Sequence, residues 1–273
     1  EPLEQNEVRV VALDQSFYAL CDEKVAGTLI PVFSLRSEGS FGVGDFGDLK
    51  LMVDWMAKTH QRLLQVLPIN DSTSTHTWTD SYPYSCISIF ALHPQYADLR
   101  QLPALNDKLE ADRFEVLREE LNALPQIDYE RVNNAKLKYL RLLFEQEGKK
   151  VLASKEFKTF FADCERWLAP YAHYCYLRDF YGTCVFSEWP DHKQWNEADR
   201  KALSNPKSEL YNKVAFYYYM QFVLDQQMRS AHEYARARGV IFKGDIPIGV
   251  NRNGCPNTST STRRRALRQT LSR

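Results

Sequence analysis

The sequence lacks the features of a disulfide scaffold, a metal site or a membrane span. Its six cysteines are scattered over 273 residues with no Cys-x-x-Cys pair, and its six histidines show no metal-ligand spacing. No apolar run approaches the roughly 20 residues that cross a bilayer. We therefore expect reduced, mostly buried thiols, no metal, no membrane partner and, since the amino terminus has no signal-peptide pattern, a cytoplasmic location.

The chain also lacks an excess of charge of either sign. Lys and Arg total 35 and so do Asp and Glu, which leaves no electrostatic footprint for nucleic acid. The residues after 253 are the exception, with five arginines and no acidic residue. A nucleic-acid-binding arm is the weaker interpretation of this tail, because it is short and carries no interleaved aromatics. We expect no nucleic-acid partner.

Two apolar runs flank an amphipathic helix near the start of the chain. Thr28–Phe33 predicts a buried strand, and Leu63–Leu67 predicts a second strand that ends before a proline. Asp45 or Gly47 opens the helix between them. Its buried face is predicted by apolar residues at helical spacing: Leu49, Met52, Val53 and Met56. Such a βαβ unit implies parallel strands.

The region from about 106 to 239 has a helical pattern almost throughout. Its best predicted helices are Asn134–Glu147, Glu156–Phe180 and Glu209–Gly239. Gly239 is the expected stop of the last helix, and Val240–Phe242 follows as a third strand. The fold class is therefore α/β, a partial (β/α)8 TIM barrel made of the first strands and a large helical insertion.

Phe41–Gly47 contains a literal Gly-x-Gly-x-x-Gly, the fingerprint of dinucleotide sites. In such sites the glycines follow the strand directly, whereas Ser34–Ser40 intervenes here. Asp45 would also place a carboxylate where a phosphate must lie. A tight turn with Asp45 or a neighbour capping the helix is the preferred interpretation.

Polar residues follow the predicted strands at Asn70, Asp71 and Asp245, where α/β barrels place their sites. Helix capping or a loop hydrogen bond is the competing explanation for each. The segment Trp78–Ser85 combines aromatics with short polar groups, a composition that suits sugars. A stable turn with buried tyrosines explains it equally well.

Four motifs resemble the 4-α-glucanotransferases of the amylomaltase or disproportionating-enzyme type (glycoside hydrolase family 77). They are LIPVFSLRSEGSFGVGDFGDLKLMVDW, QVLPIND, DSYPYSCISIFALHP and GVIFKGDIPIGVNRN, in the family's order over about residues 26–252. The resemblance implies a (β/α)8 barrel that transfers α-1,4-glucan segments by a retaining mechanism with no cofactor. The implied partners are maltooligosaccharides, starch or glycogen.

The same resemblance assigns substrate-binding roles to three residues. Ser81 and Tyr84 match the family's serine and tyrosine near the scissile bond, and Asp245 matches an aspartate that organises the −1 subsite. Nothing in the chain matches the motifs that carry the nucleophile, the acid/base and the third carboxylate. We therefore expect this polypeptide to be inactive. A non-catalytic glucan-binding fragment and a helical interaction protein are the alternatives.

These patterns predict five regions. Residues 1–25 form a lead-in, which the resemblance implies would follow a starch-binding domain; 26–105 start the barrel; 106–239 are the helical insertion; 240–252 hold the third strand; 253–273 are an aberrant basic tail. Codons compatible with the tail, read in a shifted frame, give a family-like continuation. We therefore expect a frameshift just after Cys255, which sequencing of the coding DNA would test.

Overall fold

A computed structural model describes residues 24–191 and 196–255. The strands are β1 (Gly27–Ile30), β2 (Leu63–Val66), β3 (Ser85–Cys86), β4 (Ile241–Lys243) and β5 (Gly249–Val250). The helices are α1 (Phe46–Lys58), α2 (Lys108–Ala123), α3 (Tyr129–Ala153), α4 (Lys155–Tyr181), α5 (Glu197–Leu203) and α6 (Glu209–Ala237). The predicted lead-in and basic tail lie almost wholly outside the described residues.

Two small parallel sheets organise the molecule. The first has the strand order β1-β2-β4, with Gly27 opposite Leu63 and Leu63 opposite Ile241. The second pairs β3 with β5. The predicted parallel βαβ unit is confirmed. Strand β4 joins the same sheet although it is distant in sequence, since Lys243 and its neighbour Gln65 are 178 residues apart.

Helix α1 forms as its sequence predicts. The Asp45 carboxylate accepts hydrogen bonds from Gly47 N at 2.9 Å and Asp48 N at 3.1 Å, which satisfies amides that the helix itself leaves unpaired. The predicted apolar face is buried at Leu49, Val53 and Met56, and Met52 is half-buried. This face lies in a core cluster that also holds residues of β2 and of α6, and α1 packs against α6.

The prediction that Thr28–Phe33 is a buried strand is wrong in two respects. The strand ends at Ile30, because Pro31 lacks the amide that a continuing ladder requires and Val32–Ser34 forms a 3-10 turn. Leu29 is 56% exposed. Among the described residues β1 pairs with β2 alone, so its other edge has no strand partner there.

The helical segment and the sheet share one core. A single cluster of buried side chains contains residues of β2, α1, α4 and α6, and α6 packs against both α4 and α1. Tyr217, Tyr218 and Tyr219 of α6 are all buried. Gly239 ends this region with a φ of 71°, a left-handed conformation that favours glycine. The helices therefore support the strands directly.

None of the described cysteines is joined in a disulfide. Cys86, Cys164, Cys175 and Cys255 are buried and Cys184 is half-buried, which confirms the prediction of reduced, mostly buried thiols for these five. Within residues 24–191 and 196–255, none of the helices has both the length and the apolar character needed to traverse a bilayer.

Candidate glucan-binding cleft

A cleft of about 650 Å³ lies between the segment that leads into β3 and the segment around β5. Its lining combines aromatic rings, amide and hydroxyl groups and one guanidinium: Tyr82, Tyr84, Ser85, Ile248, Gly249, Asn251 and Arg252. The parallel pairing of β3 with β5 joins its two walls. Such a surface offers flat apolar faces together with hydrogen-bonding groups, the combination that sugar rings require.

Tyr84 lines this cleft and contacts Asp245, which is not itself one of the lining residues. The Tyr84 hydroxyl donates to Asp245 Oδ2 at 2.7 Å, although the two residues are 161 positions apart. This hydrogen bond is the main reason why the pKa of Tyr84 is raised above its ordinary value. Asp245 lies just beyond the carboxyl end of β4, and both side chains are half-buried. The contact orients the Asp245 carboxylate toward the segment that leads into β3.

Ser81, the third residue singled out from the sequence, is half-buried at the end of the 3-10 turn Trp78–Ser81. It is not among the described residues that line the cleft. Sequence reasoning missed Asn251 and Arg252 as lining residues, although both belong to the motif GVNRN. It also did not single out Tyr82, which is 60% exposed and whose ring centroid lies 5.8 Å from that of Tyr84.

The polar loop between β2 and β3 is held internally by two buried aspartates. The Asp80 carboxylate accepts hydrogen bonds from Thr75 N and His76 N, the latter at 2.7 Å. Asp71 accepts from Thr73 N at 2.9 Å and from the Tyr171 hydroxyl at 2.6 Å. Asp71 is 1% exposed, and both of its carboxylate oxygens accept hydrogen bonds. This supports the explanation that Asp71 makes a hydrogen bond within the loop.

The glycine-rich segment builds a helix cap. Gly42 has a φ of 75°, and the Asp45 carboxylate occupies the amino end of α1. Buried Lys136 lies 3.8 Å from Asp45 Oδ2, and Arg100 approaches the other oxygen at 3.2 Å. Burial, the largest effect, raises the pKa of Asp45 to about 7 while Lys136 opposes it. This arrangement supports the capping interpretation over a phosphate site.

Asp245 follows the carboxyl end of β4, a position at which α/β enzymes often carry functional side chains. The sequence profile of the 4-alpha-glucanotransferases matches residues 30–260. The chain belongs to this family of glycosyl-transferring enzymes. It is 42% identical over 230 residues to the 4-alpha-glucanotransferase DPE2 of Oryza sativa subsp. japonica, and 30% identical over 233 residues to the 4-alpha-glucanotransferase of Chlamydia muridarum.

Each match covers 84% of this chain, but only 24% of the rice enzyme and 42% of the chlamydial enzyme. The fold is similar to that of the amylomaltase from Corynebacterium glutamicum, with a TM-score of 0.69 at 20% identity over 95% of this chain and 34% of that one. The amylomaltase from Streptococcus agalactiae, solved in complex with acarbose, gives the same TM-score at 21% identity over 88% of this chain and 46% of that one. The chain therefore spans less than half the length of these relatives.

Proposed function

We propose that this chain forms the glucan-holding part of an amylomaltase-type 4-α-glucanotransferase. The observation that carries the proposal is the Tyr84–Asp245 hydrogen bond, which joins two distant family motifs at one aromatic and polar cleft. Family membership supports it, and so does the acarbose complex of the Streptococcus agalactiae relative. The proposed substrates are maltooligosaccharides, starch or glycogen, and the proposed location is the cytoplasm.

The proposed complete fold is a (β/α)8 barrel in which β1, β2 and β4 are the first three strands. Their parallel direction and their order support this, since consecutive barrel strands lie side by side. Asp245 then stands at the carboxyl end of the third strand, where barrel enzymes carry functional side chains. We assign Asp245 to the orientation of the bound sugar, and Tyr84 and Ser81 to sugar contact.

The proposed reaction is retaining transfer of an α-1,4-glucan segment. A carboxylate attacks the anomeric carbon while a carboxylic acid gives its proton to the departing sugar oxygen, which leaves the donor chain attached to the enzyme. A hydroxyl of an acceptor sugar then displaces the carboxylate and returns a proton to the second carboxyl group. Asp245 and Tyr84 hold the donor sugar in this scheme and take no part in the bond exchange.

The reacting carboxylates belong, by resemblance, to motifs that this chain does not contain. We therefore propose that the 273-residue polypeptide binds glucan without turning it over. Calorimetric titration with maltoheptaose measures binding, and glucose release from maltotriose measures turnover. Binding without release is the expected result. Robust release would contradict the assignment of catalysis to other segments, and absence of binding would favour the helical interaction protein.

The Tyr84→Phe and Asp245→Asn variants test the site itself. Tyr84→Phe removes the hydrogen bond and Asp245→Asn removes the charge of its acceptor, so both are expected to weaken maltoheptaose binding. Tyr234→Phe is the matched control, because its hydroxyl also donates to a carboxylate, that of Asp54 at 2.8 Å, between α6 and α1. If all three variants bound maltoheptaose as tightly as the unsubstituted protein, the cleft would not be the glucan-binding site.

A further inference from the structure

Helix α4 presents one polar line of side chains to the segments that form the cleft. Tyr171, Tyr174 and Arg178 follow the i, i+3, i+7 spacing that places residues on one helix face, and all three are buried. None of them lines the cleft. We propose that this face of α4, the anchor face, positions both cleft walls for glucan binding, an inference that rests on the proposed function of the cleft.

The first wall is the segment that runs from Asp71 to Tyr84. The Tyr171 hydroxyl donates to Asp71 Oδ2 at 2.6 Å, and Arg178 Nη1 donates to the carbonyl oxygen of Thr73 at 2.6 Å. Both contacts join residues at least 100 positions apart. The anchor face therefore contacts the first residues of this segment, whose last residues are the cleft tyrosines.

A third contact holds the same segment next to the anchor face. His76 Nε2 lies 2.9 Å from Asp179 Oδ1, and His76 has a φ of 59°, which is uncommon for a residue with a side chain. Asp179 is itself oriented by Arg178 Nε at 2.7 Å and the Tyr217 hydroxyl at 2.6 Å. Strained backbone persists where its surroundings over-determine it, as these contacts do.

The second wall follows β5 and carries Asn251 and Arg252. The Tyr174 hydroxyl donates to the carbonyl oxygen of Asn253 at 2.5 Å, 79 residues away. Asn251 Nδ2 in turn lies 3.0 Å from Ser74 Oγ, which ties this wall to the first one. One helix thus contacts both walls, and these contacts set the distance between the walls.

Tyr171 and Tyr174 are positioning residues in this scheme, because they act on bound sugar only through the backbone and side chains that they hold. A binding site loses affinity when its supporting contacts are loosened, even where the groups that touch ligand are unchanged. Removal of the two hydroxyl groups is the most specific test, since Tyr→Phe deletes the hydroxyl and keeps the buried ring.

The test compares Tyr171→Phe and Tyr174→Phe with Tyr218→Phe. Tyr218 is a fully buried tyrosine of α6 whose hydroxyl donates to the carbonyl oxygen of Leu203 at 3.1 Å, away from the cleft. Tyr174→Phe and Tyr218→Phe each lose one hydrogen bond from a buried tyrosine, so comparable decreases in Tm are expected for these two. Tyr171→Phe also loses the bond that its hydroxyl accepts from Gln221 Nε2 at 3.2 Å, so its Tm should fall further. Maltoheptaose affinity should fall about five-fold in the first two and stay unchanged in Tyr218→Phe.

Hydrogen exchange gives a second measurement that needs no ligand. Amides of residues 71–81 should exchange faster in Tyr171→Phe, and amides of 251–255 faster in Tyr174→Phe, with neither change in Tyr218→Phe. Failure of the unsubstituted protein to bind glucan, with these exchange differences present, would count against the proposed function and support the anchor face. Unchanged local exchange and unchanged affinity in both anchor variants would overturn the inference.

Discussion

Replacement of Lys136 by methionine tests the buried charge cluster at the start of α1. The Lys136 side chain is 0% exposed, and its ammonium group donates to the carbonyl oxygens of Gln95 at 2.6 Å and Ala97 at 2.8 Å. It also lies 3.8 Å from Asp45 Oδ2. Methionine keeps the volume of the side chain but removes the only charge of α3 that reaches Asp45 in the described residues.

The expected destabilisation is about 3 to 5 kcal/mol at pH 8, the usual cost of leaving one partner of a buried ion pair uncompensated. Two carbonyl oxygens lose their donor at the same time, which contributes to this cost. Arg100 remains 3.2 Å from the other Asp45 oxygen, but its side chain is 38% exposed and its charge is partly screened by solvent. The lower half of the range is therefore expected.

The pH dependence of this cost is more specific than its size. Burial raises the pKa of Asp45 from 3.8 to about 7, so the folded protein retains a proton that the unfolded chain releases near pH 4. This carboxyl thus lowers the free energy of unfolding as the pH rises from about 4 to about 7. Loss of the Lys136 charge raises the pKa of Asp45 further, which extends that decline to higher pH.

The cost of Lys136→Met should accordingly be smallest below pH 6, where Asp45 is neutral in both proteins. It should grow by up to about 1.4 kcal/mol per pH unit above pH 7, where only the unsubstituted protein has ionised Asp45. Urea unfolding followed by circular dichroism from pH 5.5 to 8.5 measures this. Lys138→Met is the control, because Lys138 lies on the same helix but is 61% exposed and paired with Glu110. A cost that is independent of pH would refute the coupling of Lys136 to Asp45.

Three further changes test the packing. Leu51 and Trp55 are 52% and 49% exposed on α1, so the double change Leu51→Lys and Trp55→Lys should reduce self-association in light scattering without lowering the Tm. Leu49 lies on the opposite, fully buried face, and Leu49→Ala should cost about 2 to 5 kcal/mol in urea unfolding; a cost as small as that of Leu51→Ala would contradict the burial. Gly239→Ala should cost about 1 to 2 kcal/mol through its φ of 71° alone, since a methyl group there meets no atom within 4 Å. No loss of stability in Gly239→Ala would argue against the left-handed helix end.

Local elements could be predicted from the sequence because their signals are local. The spacing of Leu49, Val53 and Met56 specifies one helix face, and Asp45 supplies the cap directly before the first helical residue. The end of β1 could not be read from the apolar run, because Val32 is buried by a 3-10 turn and not by a strand. An apolar pattern indicates that a residue is buried, and Val32 would be buried in a strand as well as in the 3-10 turn.

The cleft was only partly predictable. Tyr84 and Asp245 followed from the family motifs, whereas their hydrogen bond depends on where β3 and β4 lie in space. Asn251 and Arg252 carried no signal of their own, because an amide or a guanidinium near a strand end is ordinary on a protein surface. The role of α4 was likewise hidden, since each of its contacts to the cleft walls spans 79 residues or more.

The sequence by itself determined the parallel βαβ unit, the helical segment and the family, because periodicity, caps and motifs are properties of neighbouring residues. Only the tertiary structure decided that Asp71 is engaged by Tyr171, that Tyr84 meets Asp245 and that one helix holds both cleft walls. Those facts depend on the packing of distant segments around a shared core, and short-range pattern carries no information about that packing.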